Sequence, residues 1–525
     1  MGNVGKWAIA GALIGAACAK SNATEPGNNV VSPADAGPTV DAGPPDAGPA
    51  DAGPADAGPA DGGRIKFGGP GPWPISNVQY SWQDGLQEMP VVGVSTDENQ
   101  NLWVATNAAL YLLRPGDQRF TRYDASNSDL HLPGNPAKYC EDSALTYTPA
   151  MGGCPHGDAE PPGISEIVGG GAGDGYLGEV FVGYWAHHDW TLTDGTEQDE
   201  WRHSGKLDRV RLKADNSGAL SLEVIRFDMV SNNTVQYWHN KSVVRMVYDH
   251  FIHPHELYVG CDHGVDKISP DKWHPTVGPW FLSPENQQSW MSDHLHPQAC
   301  LHQRCPEGAG TGSVPQMLAD WRGLAIAPDG DLWVGGRYAA GKIVYVAENT
   351  EWWKTPRIPH GPSSFQPSYG DKYDGNCSGN RPVFCPPLEG DPVNISAVTV
   401  AKDGKVWFAS GTLFNEPKDV PYGIASVENP GTHDKITYYD PVRDVGLSES
   451  DVRDMVALPD GRLVVAGLHS GLVIWDPVTG AKTPIRAGQG IPSDRVLRLQ
   501  LDTMVDPPAL MVATAGGAAV LRVLP

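Results

Sequence analysis

Basic charge is scarce in this chain: 38 lysines and arginines stand against 62 aspartates and glutamates, a formal net charge of −24 over 525 residues. Nucleic-acid binding driven by counterion release needs a basic face, so that balance excludes nucleic acid as a partner. Charged residues of either sign make up only 19 %, while 62 glycines and 47 prolines interrupt the sequence too often for long helices. A haem-attaching Cys-x-x-Cys-His, a phosphate-cradling glycine loop and a Gly-x-Ser-x-Gly nucleophile elbow are all missing, which removes three common catalytic frameworks. What is there is a turn-rich chain with 40 % hydrophobic residues, a mixture that suits an all-β protein.

The amino terminus has a short segment ending at Lys6, then an apolar stretch from Trp7 to Ala17 that is too short to span a bilayer. With the small residues around Cys18, residues 1–19 read as an export signal. Two processing routes fit. Gly15-Ala16-Ala17-Cys18 resembles the lipobox of bacterial lipoproteins, with Gly15 where that pattern usually carries Leu, and would make Cys18 the lipidation site. Cleavage after Ala19, using Ala17-Cys18-Ala19, would instead release a soluble protein. The first route predicts a cell-envelope lipoprotein at the outer membrane or cell surface, touching the membrane only through its lipid; the second predicts a periplasmic or secreted one.

Cysteine usage agrees with export. Six of the eight cysteines form close pairs in loop-like sequence, Cys140 with Cys154, Cys300 with Cys305 and Cys377 with Cys385, each a candidate disulfide closing a small loop in an oxidising compartment. Cys261 is left over and reads as a buried free thiol. Residues 20–73 carry no hydrophobic pattern and include a near-repeat with Asp35, Asp41, Asp46, Asp51, Asp56 and Asp61 in step. Such a stretch cannot bury a core; regular prolines and like charges extend it, so it reads as a disordered tether.

Residues 74–525 are dominated by an internal repeat. A short apolar strand recurs seven times, as Leu102–Thr106, Val180–Tyr184, Leu257–Cys261, Leu332–Gly336, Val406–Ser410, Leu463–Gly467 and Leu510–Thr514. An apolar strand and a tight turn precede it, with Asp329-Gly330, Asp403-Gly404 and Asp460-Gly461 supplying the positive φ that a tight hairpin needs. A third strand follows each copy, and in several copies a fourth does. These features predict an all-β, seven-bladed β-propeller of four-stranded antiparallel blades, with a monomeric body. The last copy lacks an outer strand, and Asn77–Trp82 has the character to supply it, closing the ring with both termini. The pattern of Gly-Leu/Ile-x-x-x-x-Val, then Asp-x-x-Gly-x-Leu-Trp-Val-Gly-Thr, then Gly-Leu resembles the two-component-regulator propeller repeats and their streptogramin-lyase-like and WD-type relatives. That resemblance implies a fold; neither signalling nor an active site carries over.

Antiparallel connectivity sorts the loops. Connections from strand two to three, and from strand four to the next blade, leave on one face, called here the linker face; hairpins one-to-two and three-to-four leave on the other, the hairpin face. The insertions Ala125–Gly163, Ala186–His203, Ser269–Asp320, Trp352–Asn394 and Gly411–Pro421 are all expected on the linker face. In or beside them lies a candidate ligand-stacking set, Trp185, Trp190, Trp201, Trp280, Trp290, Trp352 and Trp353, suited to a protein, peptide or glycan. The insertions also carry His187, His188, His294 and His296, a set that could take a divalent metal as cofactor. Two functions follow: a non-catalytic envelope binding or scaffold propeller, or a metal-dependent hydrolase or lyase on the same face. No catalytic residue is singled out; paired carboxylates such as Glu166 with Asp174, or Asp451 with Asp454, lack a distinguishing environment, and Trp103, Trp333 and Trp407 are expected in the core.

Overall fold

A computed structural model describes residues 75–133, 163–171, 173, 175–185, 207–227, 242–261, 265–273, 290–295, 298–299, 316–317, 322–336, 340–343, 364–365, 395–411, 423–428 and 435–523. The chain divides into Met1–Pro59 and Ala60–Pro525, and every described residue lies in the second unit.

That unit is a β-propeller of four-stranded antiparallel blades. Among the described residues six blades are continuous in sequence, each ordered from the axis outwards as it runs along the chain. Blade one comprises Val91–Thr96, Leu102–Thr106, Leu110–Leu113 and Thr121–Tyr123. Blades two to six start with the inner strands Ile164–Gly169, Val243–Asp249, Gly323–Ile326, Ile395–Val400 and Val452–Ala457. A further four-stranded sheet is composite: Val496–Asp502, Ala509–Thr514 and Gly517–Val523 are completed by Ile75–Tyr80 from the other end of the chain. Ile75 pairs with Val523 and Tyr80 with Ala518, so the edge of the last strand is covered by the first.

Each second strand has sheet neighbours on both sides and packs between adjacent blades, which is why these strands read as unbroken apolar runs. Leu102–Thr106, Val406–Ser410 and Leu463–Gly467 are buried throughout. Trp103, Trp333 and Trp407 sit in the core as expected. The Asp-Gly turns behave as read: Gly404 and Gly461 take φ +84° and +91°.

Inter-blade contacts trace a closed circuit. Ser95 Oγ accepts from Gly169 N at 2.7 Å, joining blades one and two. Phe181 stacks on Tyr248 (two and three), and Leu332 and Val334 pack with Tyr258 and Val265 (three and four). Trp333 meets Phe408 edge-on, and Ser396 Oγ donates to Val452 O at 2.5 Å (four to five, five to six). Leu499 N donates to Asp454 Oδ2 at 2.8 Å, and Thr96 Oγ1 to Asp502 Oδ2 at 2.7 Å, which brings the composite blade between six and one.

The expectation that every insertion leaves on the linker face is corrected. In blade three the third strand runs on to Trp273, and the fourth, Trp290–Leu295, pairs back against it. The third strand therefore ends at Trp273, and the fourth begins at Trp290, at the hairpin face. In blade four Ala340–Ile343 pairs with Ser364–Phe365, so Ile343 and Ser364 stand at the hairpin face likewise. The fourth strands here, Trp-Met-Ser-Asp-His-Leu and Ser-Phe, are too polar or too short to be recognised as strands from their pattern. Each hides inside an insertion and splits it between the two faces.

Candidate functional site

Side chains that cross the axis come from one structural position. The inner strand shifts register by one residue between Val91 and Gly93, Ile164 and Glu166, Val243 and Arg245, Ile395 and Ala397, Val452 and Asp454, and Val496 and Arg498. Such a bulge re-aims the residue that follows it. Four of these six residues are charged, and they meet. Arg245 Nη1 of blade three lies 2.8 Å from Asp454 Oδ2 of blade six. Arg498 Nε of the composite blade lies 2.5 Å from Glu166 Oε2 of blade two. Arg498 also donates to Val244 O at 2.8 Å, while Asp454 accepts from Leu499 N. None of these ion pairs joins adjacent blades, so together they bar the axial channel.

All four groups are buried, Asp454 completely. Burial pushes the Glu166 carboxyl above its ordinary 4.5, although Arg498 and Arg245 pull it back and Asp454 adds to the rise. Burial would also discharge Arg245, but Asp454 and Glu166 outweigh it and hold its pKa above the ordinary value. Arg245 and Asp454 are hydrogen-bonded, whereas Arg498 Nε and Glu166 Oε2 are in ion-pair contact without a hydrogen bond; each buried charge thus faces an opposite one, the condition under which buried charge is tolerated.

On the hairpin side of this barrier lies a cavity of about 290 Å³. Met246, Leu324, Ile326, Val398, Met455 and Leu499 give it apolar walls, with Glu166 and Arg245 at its depth. Its rim is the blade-three hairpin, where Asp249 carboxylate oxygens accept from the backbone N of Phe251, Ile252 and His253 at 2.8–3.0 Å. That cap turns Phe251 and Ile252 outwards; they are 61 % and 40 % exposed. His250 of the same hairpin places its Nδ1 3.1 Å from Glu98 Oε1 of blade one, and Asp502 of the composite blade accepts from Gln100 as well as Thr96.

Of the residues singled out from sequence, Trp185 lies half-buried just past the second strand of blade two, its backbone N donating to Gly163 O at 3.1 Å. Trp290 and His294 lie in the fourth strand of blade three, paired with Trp273 and Asp266. The cavity lining includes none of them. Trp190, Trp201, Trp280, Trp352, Trp353, His187, His188 and His296 fall outside the described residues, as do Cys18, Cys140, Cys154, Cys300, Cys305, Cys377 and Cys385. Cys261 is buried. Among the described residues no group of three or more His, Cys, Asp or Glu could hold a metal ion. Of the carboxylates paired by sequence, Glu166 and Asp454 do share a site, each with a partner the sequence did not indicate.

No family model matches the chain, and none of the curated proteins does. Among solved structures it is similar to the extracellular domain of the hybrid two-component system BT3049 from B. thetaiotaomicron, at 12 % identity and a TM-score of 0.42. That likeness covers 86 % of this chain and 42 % of the other, so the chain spans less than half of that protein's length. It is also similar to YCF48 bound to D1 peptide, at 10 % identity and TM-score 0.41, over 86 % of this chain and 97 % of that one. A component of a mitotic checkpoint complex matches at 10 % identity and TM-score 0.39, over 90 % and 98 %.

Proposed function

We propose that this is an exported, seven-bladed propeller that works by binding rather than catalysis, and that it takes a protein or peptide segment at the hairpin-face mouth of its axial cavity. The observation that carries the reading is the juxtaposition of exposed Phe251 and Ile252 with a cavity of about 290 Å³, its wall part apolar and part polar, whose depth is closed by paired charges. A cavity of that size accepts one or two apolar side chains of a ligand, and the two exposed hydrophobes would be covered as it enters. The rest of the layout follows the sequence: residues 1–19 as export signal with Cys18 lipidated, 20–73 as tether and 74–525 as the ring.

The test is selection of displayed random peptides against the full chain. Enriched peptides carrying a bulky apolar residue are expected, with affinity about tenfold weaker for the Phe251→Ser/Ile252→Ser variant, the loss that follows from leaving side chains of this size uncovered. Enrichment indifferent to that variant, or selective capture of glycans in place of peptides, would overturn the reading.

A further inference from the structure

Beyond the barrier, on the linker face, the charge balance is different. Arg453 is the second residue of the blade-six inner strand and Arg495 immediately precedes that of the composite blade, so both stand where inner strands begin. The Arg453 Nε is cut off from solvent and has no hydrogen-bond partner. The acids beside it are Asp454 and Asp451, and Asp454 is already committed to Arg245 and Leu499 N. Arg498, which presses on Arg453 electrostatically, is spent on Glu166 and Val244 O. Arg495 is exposed and adds a further positive charge. Burial and these two arginines pull the Arg453 pKa down to about 10, against Asp454 and Asp451, which favour its charge.

The Arg453 side chain is half-buried, and its Nε is a donor without an acceptor in a chain that is otherwise strongly acidic. Leaving a buried donor unsatisfied is costly unless an incoming acceptor completes it. We infer that Arg453 and Arg495 form an oxyanion-binding site at the linker-face mouth of the axis, suited to a carboxylate or a phosphoryl group. A guanidinium meets either one with two parallel N–H···O bonds, and the bound charge would offset the repulsion among Arg453, Arg495 and Arg498. The site lies on the other side of the ion-pair barrier from the peptide cavity and stands independently of that reading.

Citrate and inorganic phosphate, each titrated into the full chain at constant ionic strength, test the assignment through the thermal unfolding midpoint and by calorimetry. A saturable rise in the midpoint with at least one of them is expected; which one acts separates a carboxylate ligand from a phosphoryl one. Binding should weaken about tenfold or more in Arg453→Met, as loss of a charge-assisted bond implies, and measurably in Arg495→Met, where an exposed position keeps folding out of the question. Without anion, Arg453→Met should unfold at the same temperature as the parent or higher, because it removes a buried donor that has no acceptor. A midpoint that responds to neither anion, or responds equally in parent and both variants, overturns the site. So does a fall of several degrees in anion-free Arg453→Met, which would show the guanidinium to be a structural donor.

Discussion

At the scale of single residues, the strongest constraint is a buried carboxylate. Asp97 accepts from Trp103 Nε1 at 2.8 Å, from Asn101 through both backbone and side chain, and from Glu179 N of the next blade. Its replacement by Ala strands several buried donors at once and is expected to destabilise the ring by about 3 kcal/mol, measured by urea unfolding. Across the axis, Arg245→Met alone leaves Asp454 charged and unpaired and should cost about 3–5 kcal/mol, whereas Arg245→Met with Asp454→Leu should recover most of that loss in a double-mutant cycle. Asp476 behaves oppositely to Asp97 and Glu166, whose burial pushes their carboxyls up. The Thr479 hydroxyl, with the backbone N of Val478 and Thr479, holds its carboxyl below the ordinary 3.8. A depressed folded value means that the stabilisation is complete above 3.8 and lost as pH falls through the folded value. In Thr479→Ala, NMR titration should therefore show Asp476 moving back towards 3.8, and the stability gap from the parent should close as the pH drops below that point.

At the scale of elements, closure rests on one strand pairing across the whole length of the propeller. Ile75–Tyr80 is hydrogen-bonded along Gly517–Val523, and Tyr80 packs edge-on against Phe120 in the core between the composite blade and blade one. A chain that begins after Tyr80 loses that packing and leaves a bare strand edge. It should unfold at a lower temperature and self-associate through the exposed edge, seen as dimers or larger species by light scattering. Strand legibility varied with how much of each strand is buried. Second strands, apolar on both faces, were plain in the amino-acid pattern, as were their Asp-Gly hairpins. Fourth strands at the rim of a blade face solvent on one side and need little apolar sequence, so Trp290–Leu295 went unseen inside an insertion.

At the scale of the whole molecule, the export layout has its own check: changing Cys18→Ser should abolish incorporation of labelled fatty acid and move the protein from the membrane to the soluble fraction, if the anchor is as proposed. The repeat itself determined the architecture. Each copy cannot bury its hydrophobic faces alone, so recurrence of the same apolar strand requires sheets stacked around an axis, and the need for a missing outer strand pointed to the other terminus. Only tertiary structure decided what happens at that axis. Glu166, Arg245, Asp454 and Arg498 are separated by up to 332 positions in sequence, and nothing local distinguishes them from solvated charges. Circular closure and a repeated bulge bring them to one point, where low dielectric makes their pairing obligatory. The same closure raised Phe251 beside a cavity and left the Arg453 Nε without an acceptor, because a side chain's chemistry depends on neighbours that the linear order does not contain.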